Sequence, residues 1–98
     1  MINIVKANYI KDYEVELFFS DGSFGRIDFS YMFEKQTVLT APLTDKQLFK
    51  DFFLDFGALC WKNGLEFSPN SLRLKLQDAK RLHFTNEVAY YRDWETDR

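Results

Sequence analysis

Apolar and polar residues alternate over the first thirty positions at the two-residue period of a β-strand. Residues 2–9 (INIVKANY) are mostly β-branched, aromatic or small and stop at the polar pair Lys11-Asp12, which predicts a first strand. Residues 13–29 (YEVELFFSDGSFGRIDF) hold two alternating runs around Asp21-Gly22, the composition of a hairpin turn. A two-residue loop there sets Leu17 opposite Arg26 and Val15 opposite Asp28, mixing apolar and charged side chains on one face. A three-residue loop Ser20-Asp21-Gly22, with Gly22 left-handed, instead pairs Val15 with Ile27, Glu16 with Arg26 and Phe18 with Phe24. Each such pair contributes about 0.2–1 kcal/mol, so the second register is expected. It builds one face on Tyr13, Val15, Leu17, Ile27 and Phe29 and leaves Phe18 and Phe24 on the other.

Beyond the hairpin the periodicity changes. Residues 30–35 (SYMFEK) predict one helical turn capped by Ser30, and Gln36 to Leu43 predict a loop, since Pro42 disfavours regular structure around it. Thr44-Asp45-Lys46-Gln47 has the spacing of a capping box, with Thr44 accepting from the third helical amide and a short helix running to about Lys50. Phe52 to Asp55 and Ala58 to Trp61 predict two strands joined at Phe56-Gly57, and Asn63-Gly64 a further tight turn. Ser68-Pro69 starts a helix, because proline at the first helical position loses no hydrogen bond. Leu72, Leu76, Ala79 and His83 then share one helical face, although Leu72, Leu74 and Leu76 also alternate as in a strand.

These elements describe an α+β fold: a small antiparallel sheet built on a β-hairpin, with one or two short helices packed on one face. No repeat, low-complexity run or linker divides residues 1–84, which are expected to form a single domain. Residues 85–98 are expected to be a C-terminal extension. Its end, 92–98 (RDWETDR), carries five charges around Trp94 and continues no apolar pattern, so it is expected to be frayed or non-native.

Composition narrows the function classes. With 46% hydrophobic and 18% aromatic residues, eleven of them Phe, the 98-residue chain has enough apolar material for one core without disulfide or metal. A net charge of −2 supplies no global field for nucleic acid or an anionic membrane. The apolar runs are too short for a membrane span, and a single cysteine, Cys60, suits a reducing compartment, so a cytoplasmic protein is expected.

No catalytic constellation emerges. A nucleophilic pair would need Cys60 beside His83 with an activated thiolate, whereas Cys60 sits between Leu59 and Trp61 as a core residue would. One histidine makes no histidine-rich metal site, and His83 suits a surface or helix-end position. Asp45, Asp51 and Asp55 lack the alternating positions and central glycine of a calcium loop, and none of the four glycines sits in a phosphate-cradling pattern. No catalytic residue, metal or cofactor is therefore expected.

Two surfaces remain as candidates. Arg73, Lys75, Lys80 and Arg81 form a local basic excess on the second helix, suited either to phosphate contact or to a solvated face. Phe18 and Phe24 on the second hairpin face form either an aromatic patch for a protein partner or part of the core.

The hairpin LFFSDGSFGRIDF (17–29), the Leu43-x-Asp45-x-x-x-Phe49 segment and CWKNGLEFSP (60–69) together resemble a small bacterial family, domain of unknown function 2442. The resemblance runs from about Ile2 to Leu76, with Trp-x-Asn-Gly its most specific element; the family usually has proline where this chain has Lys62. It implies a small α+β domain often encoded beside another small protein in a layout like a toxin-antitoxin pair. Some relatives carry a helix-turn-helix module, which implies regulation. A non-enzymatic module binding the product of a neighbouring gene is accordingly the leading expectation. A nucleic-acid-linked transcriptional regulator using the basic helix is the alternative.

Overall fold

The computed structural model describes residues 1–84, and the expected extension at 85–98 lies outside the described residues. In chain order the strands and α-helices are β1 (Ile4–Lys11), β2 (Glu14–Phe19), β3 (Ser23–Asp28), α1 (Lys46–Phe49), β4 (Phe53–Asp55), β5 (Ala58–Cys60), β6 (Glu66–Phe67), α2 (Pro69–Asp78) and β7 (His83–Phe84). Two antiparallel sheets result, ordered β1-β2-β3-β7 and β4-β5-β6. The α+β class and the hairpin foundation are those the pattern predicts.

The β2-β3 register follows from side-chain pairing. Val15 lies opposite Ile27, Glu16 opposite Arg26 and Phe18 opposite Phe24. Gly22 takes φ +87°, the left-handed conformation that closes a three-residue loop, and its amide donates to the Phe19 carbonyl at 3.0 Å. The face carrying Val15, Leu17, Ile27 and Phe29 is buried, with Tyr13 packed partly against it.

Capping departs from the pattern in two places. The turn after β3 is a 3₁₀ helix, Phe29–Phe33, and Asp28 rather than Ser30 caps it, its carboxylate accepting from the Ser30 amide at 2.9 Å. At α1 the cap is Asp45, which accepts from the Gln47 amide at 2.9 Å. Thr44 is drawn into a preceding 3₁₀ turn, Ala41–Thr44, where its hydroxyl donates to the Ala41 carbonyl at 2.8 Å. Pro42 is the second residue of that turn and does not prevent it, since its fixed φ is tolerated in a first helical turn, where the amide has no partner to lose.

α2 begins as expected, with Ser68 Oγ accepting from the Ser71 amide at 3.2 Å and Pro69 in the first turn. It stops at Asp78, well before His83. The Arg81 amide reaches the Leu76 carbonyl (2.9 Å) and the Lys80 amide the Gln77 carbonyl (3.0 Å), a Schellman closure with Lys80 at φ +56° where glycine is usual. A side chain in this conformation costs roughly 1–2 kcal/mol relative to glycine. Reversal of the chain there packs Leu82 against the core and aligns His83 and Phe84 with β3. Thus Leu72 and Leu76 are the buried face of α2, while Ala79 is exposed and His83 belongs to a strand.

Gly25 lets this helix approach the sheet. A Cβ built there would lie 2.7 Å from the Arg81 carbonyl oxygen and 2.9 Å from Leu76 Cδ2. The second sheet joins the first through the Ile4 amide, which donates to the Gly57 carbonyl at 2.9 Å, and through aromatic rings. Phe29, Phe49 and Trp61 lie with centroids 5.7–6.1 Å apart, and Trp61 Nε1 donates to the buried Phe49 carbonyl at 2.8 Å. Phe67 closes on Phe29 at 5.4 Å and Tyr13 on Phe49 at 5.2 Å.

Two stability outcomes are expected from chemical denaturation. Gly25→Ala destabilises by about 1–3 kcal/mol, because its methyl overpacks against backbone that cannot rotate away. Trp61→Phe costs about 2–4 kcal/mol, from lost packing and a buried carbonyl deprived of its indole donor. An unchanged midpoint for either variant would contradict the packing described.

Candidate functional site

The outer face of the four-stranded sheet carries a row that crosses every strand. Lys6 pairs with Phe18, Phe18 with Phe24, and Phe24 with His83. Phe18 and Phe24 stack at 5.5 Å, the His83 ring is tilted against Phe24 at 5.4 Å, and Lys6 Nζ stands 5.5 Å from the Phe18 centroid. Phe24 is only 7% exposed, and Phe18 is half-buried. As to the two readings of this pair, Phe24 is buried with His83 of β7 against it and Phe18 stays half-buried; β7 forms where the pattern predicts helix.

The four basic residues do not share a helical face. Arg73 binds the hairpin-loop carboxylate of Asp21, with Nε and Nη2 at 3.0 and 2.9 Å from Oδ2. Lys75 places its ammonium 3.8 Å from the Tyr31 centroid. Lys80 lies in the Schellman turn and Arg81 just after it, both exposed. On α2 itself, Arg73 and Lys75 brace the helix against the hairpin and the first 3₁₀ turn. Of the four, Arg73 and Lys80 meet around one hollow with Gln77, Leu82 and Phe84.

A second concavity, not anticipated from the sequence, lies where the 3₁₀ turn 41–44 and α1 meet the Trp61–Gly64 turn. Pro42, Leu43, Leu48 and Trp61 form apolar walls around about 140 Å³. Asp51, Lys62 and Asn63 form its rim, Lys62 Nζ lying 3.0 Å from Asp51 Oδ2 and Asn63 Nδ2 donating to the Leu39 carbonyl at 2.8 Å. Leu48 is 48% exposed, with Leu39 and Val38 exposed on the adjoining loop. The sequence signal was present in Trp-x-Asn-Gly, but the apolar walls come from residues up to twenty positions away.

Cys60 is buried, and burial together with the Glu66 and Asp55 carboxylates pushes its thiol pKa up, which disfavours the thiolate. Glu66 Oε2 lies 3.8 Å from Cys60 Sγ. Among the described residues no group of three or more His, Cys, Asp or Glu side chains is placed to hold a metal ion, and no helix is long and apolar enough to cross a membrane.

Asp21 carries a pH dependence of known sign. The Ser23 hydroxyl at 2.5 Å lowers its pKa most, aided by the Ser23 amide and the Arg73 charge and opposed by burial. A carboxylate held lower in the folded state contributes stability above about pH 4 that is lost as pH falls through the folded value. Asp21→Asn should therefore lower stability at pH 7 and flatten the acid limb of a stability-against-pH curve below about pH 4. An acid limb identical to that of the unsubstituted protein would remove Asp21 from the account.

No curated protein and no solved structure matches this chain. The family described as "Protein of unknown function (DUF2442)" matches residues 4–77, from the first residue of β1 to the last turn of α2. That span includes the hairpin, the Asp45-capped helix and the Trp61–Gly64 turn, the segments on which the resemblance rested, and the chain belongs to the DUF2442 family.

Proposed function

We propose that this protein is a non-enzymatic interaction module of the bacterial cytosol that docks a small protein partner over the hollow at Trp61. The observation that carries it is an apolar cavity with a polar rim: walls of Pro42, Leu43, Leu48 and Trp61 inside a border of Asp51, Lys62 and Asn63. Interfaces concentrate their energy in such arrangements, where an apolar anchor is desolvated and surrounding polar groups exclude water. Exposed Leu39 and Val38 extend the apolar surface beyond the cavity. Trp61 is fixed by its bond to the Phe49 carbonyl, so the cavity floor is organised before any partner arrives.

The partner follows from the family resemblance: the product of an adjacent gene, in an arrangement like a toxin-antitoxin pair. The Phe18-Phe24 stack offers less, since Phe24 already lies beneath its neighbours.

Titrating the adjacent gene product against Leu48→Glu tests the proposal. Leu48 is half-exposed, so the fold should survive, while association weakens about tenfold or more. Unchanged affinity in Leu48→Glu, together with loss in Phe18→Ala, would move the interface to the outer sheet face and overturn the docking site.

A further inference from the structure

The hollow at the end of α2 has a different chemistry from that at Trp61. About 260 Å³ is bordered by Arg73, Gln77, Lys80, Leu82 and Phe84. Phe84 is 40% exposed, and the Arg73 guanidinium carbon lies 6.0 Å from its ring centroid. We propose that this hollow binds a planar ring bearing an anionic group, the chemistry of a nucleotide, with the ring against Phe84 and Leu82 and the anion between Lys80 and Arg73.

Three features support the assignment. Arg73 is held in place by Asp21, which uses its Nε and Nη2 donors but not all five N–H groups of the guanidinium. A cation positioned beforehand loses little entropy on binding an anion. The α2 carbonyls of Lys75, Leu76 and Gln77 are already satisfied by the amides of Ala79, Arg81 and Lys80, so Lys80 is not needed to cap the helix through its side chain. Finally, Lys80 occupies a left-handed position that favours glycine, and backbone strain of this kind concentrates where a side chain is used. Gln77 adds an amide able to donate or accept beside the two cations.

Strain and binding make opposite demands on Lys80, and that opposition provides the test. Isothermal titration of the 98-residue chain with AMP should give a Kd below about 1 mM, with adenosine and inorganic phosphate each binding at least about fivefold more weakly. Lys80→Gly should raise Tm by roughly 4–8 °C while weakening AMP about fivefold or more. Lys80→Gln, which keeps the side-chain length but not the charge, should weaken binding similarly. Arg81→Gln, outside the hollow, should change it less than twofold. A mixed-sequence single-stranded oligonucleotide that binds more than tenfold tighter than AMP, with the same Lys80→Gly sensitivity, would identify the source of the ring and anion as a nucleic-acid strand. AMP binding equal to that of phosphate, or binding unaffected by Lys80→Gly, would overturn the site.

Discussion

The hydrogen bond from the Trp61 indole to the Phe49 carbonyl, at the centre of the Phe29-Phe49-Trp61 ring cluster, anchors the second sheet in the core, beside the bond from the Ile4 amide to the Gly57 carbonyl (2.9 Å) that ties it to β1. Strands β4, β5 and β6 have two or three residues each and could not persist as a separate three-stranded sheet with so little area to bury. Trp61, directly after β5, carries that sheet into the core of the first. Phe49 belongs to a single-turn helix with the same limitation. Each short element is therefore stable through the aromatic contacts it makes with distant segments, and of the three ring pairs the edge-to-face one, Phe29-Trp61, adds about 0.5–1.5 kcal/mol beyond area burial.

The same cluster generates the candidate docking surface. The indole held by the Phe49 carbonyl also lines the hollow with Pro42, Leu43 and Leu48, so one residue belongs both to the core and to the hollow. The Asp51-Lys62 pair at the rim has both side chains largely in water, and exposed pairs of this kind contribute little to stability. Its polarity shapes the border of the hollow instead.

At the other end of the molecule the organising constraint is the close approach of α2 to β3. Gly25 removes the side chain that would obstruct it, and Asp21 binds Arg73 across the same junction. The Schellman turn then directs the chain back along β3. Lys80, Leu82 and Phe84 thereby arrive beside Arg73, forming a hollow from residues that a continuous helix would have distributed around its circumference.

The amino-acid order by itself determined the hairpin and its register, since the competing pairing sets Arg26 against Leu17 and Asp28 against Val15 and such a mixed face cannot be buried. It determined the start of α2, because Ser68-Pro69 specifies both cap and first φ locally. The short strands around Phe56-Gly57 were legible for the same reason, the two turn residues taking φ +49° and +79° as that turn requires. The end of α2 was not. Leu72, Leu76, Ala79 and His83 keep helical spacing, and what stops the helix is a lysine in a conformation for which local propensity selects glycine. That choice is made by tertiary packing: Leu82 gains the core and His83 and Phe84 gain strand partners, which outweighs the strain at Lys80. The fate of Phe18 and Phe24, the separation of the basic residues and both hollows follow from that reversal or from the Trp61 cluster. All are contacts between segments remote in sequence, where periodicity records which residues are apolar but not which ones meet.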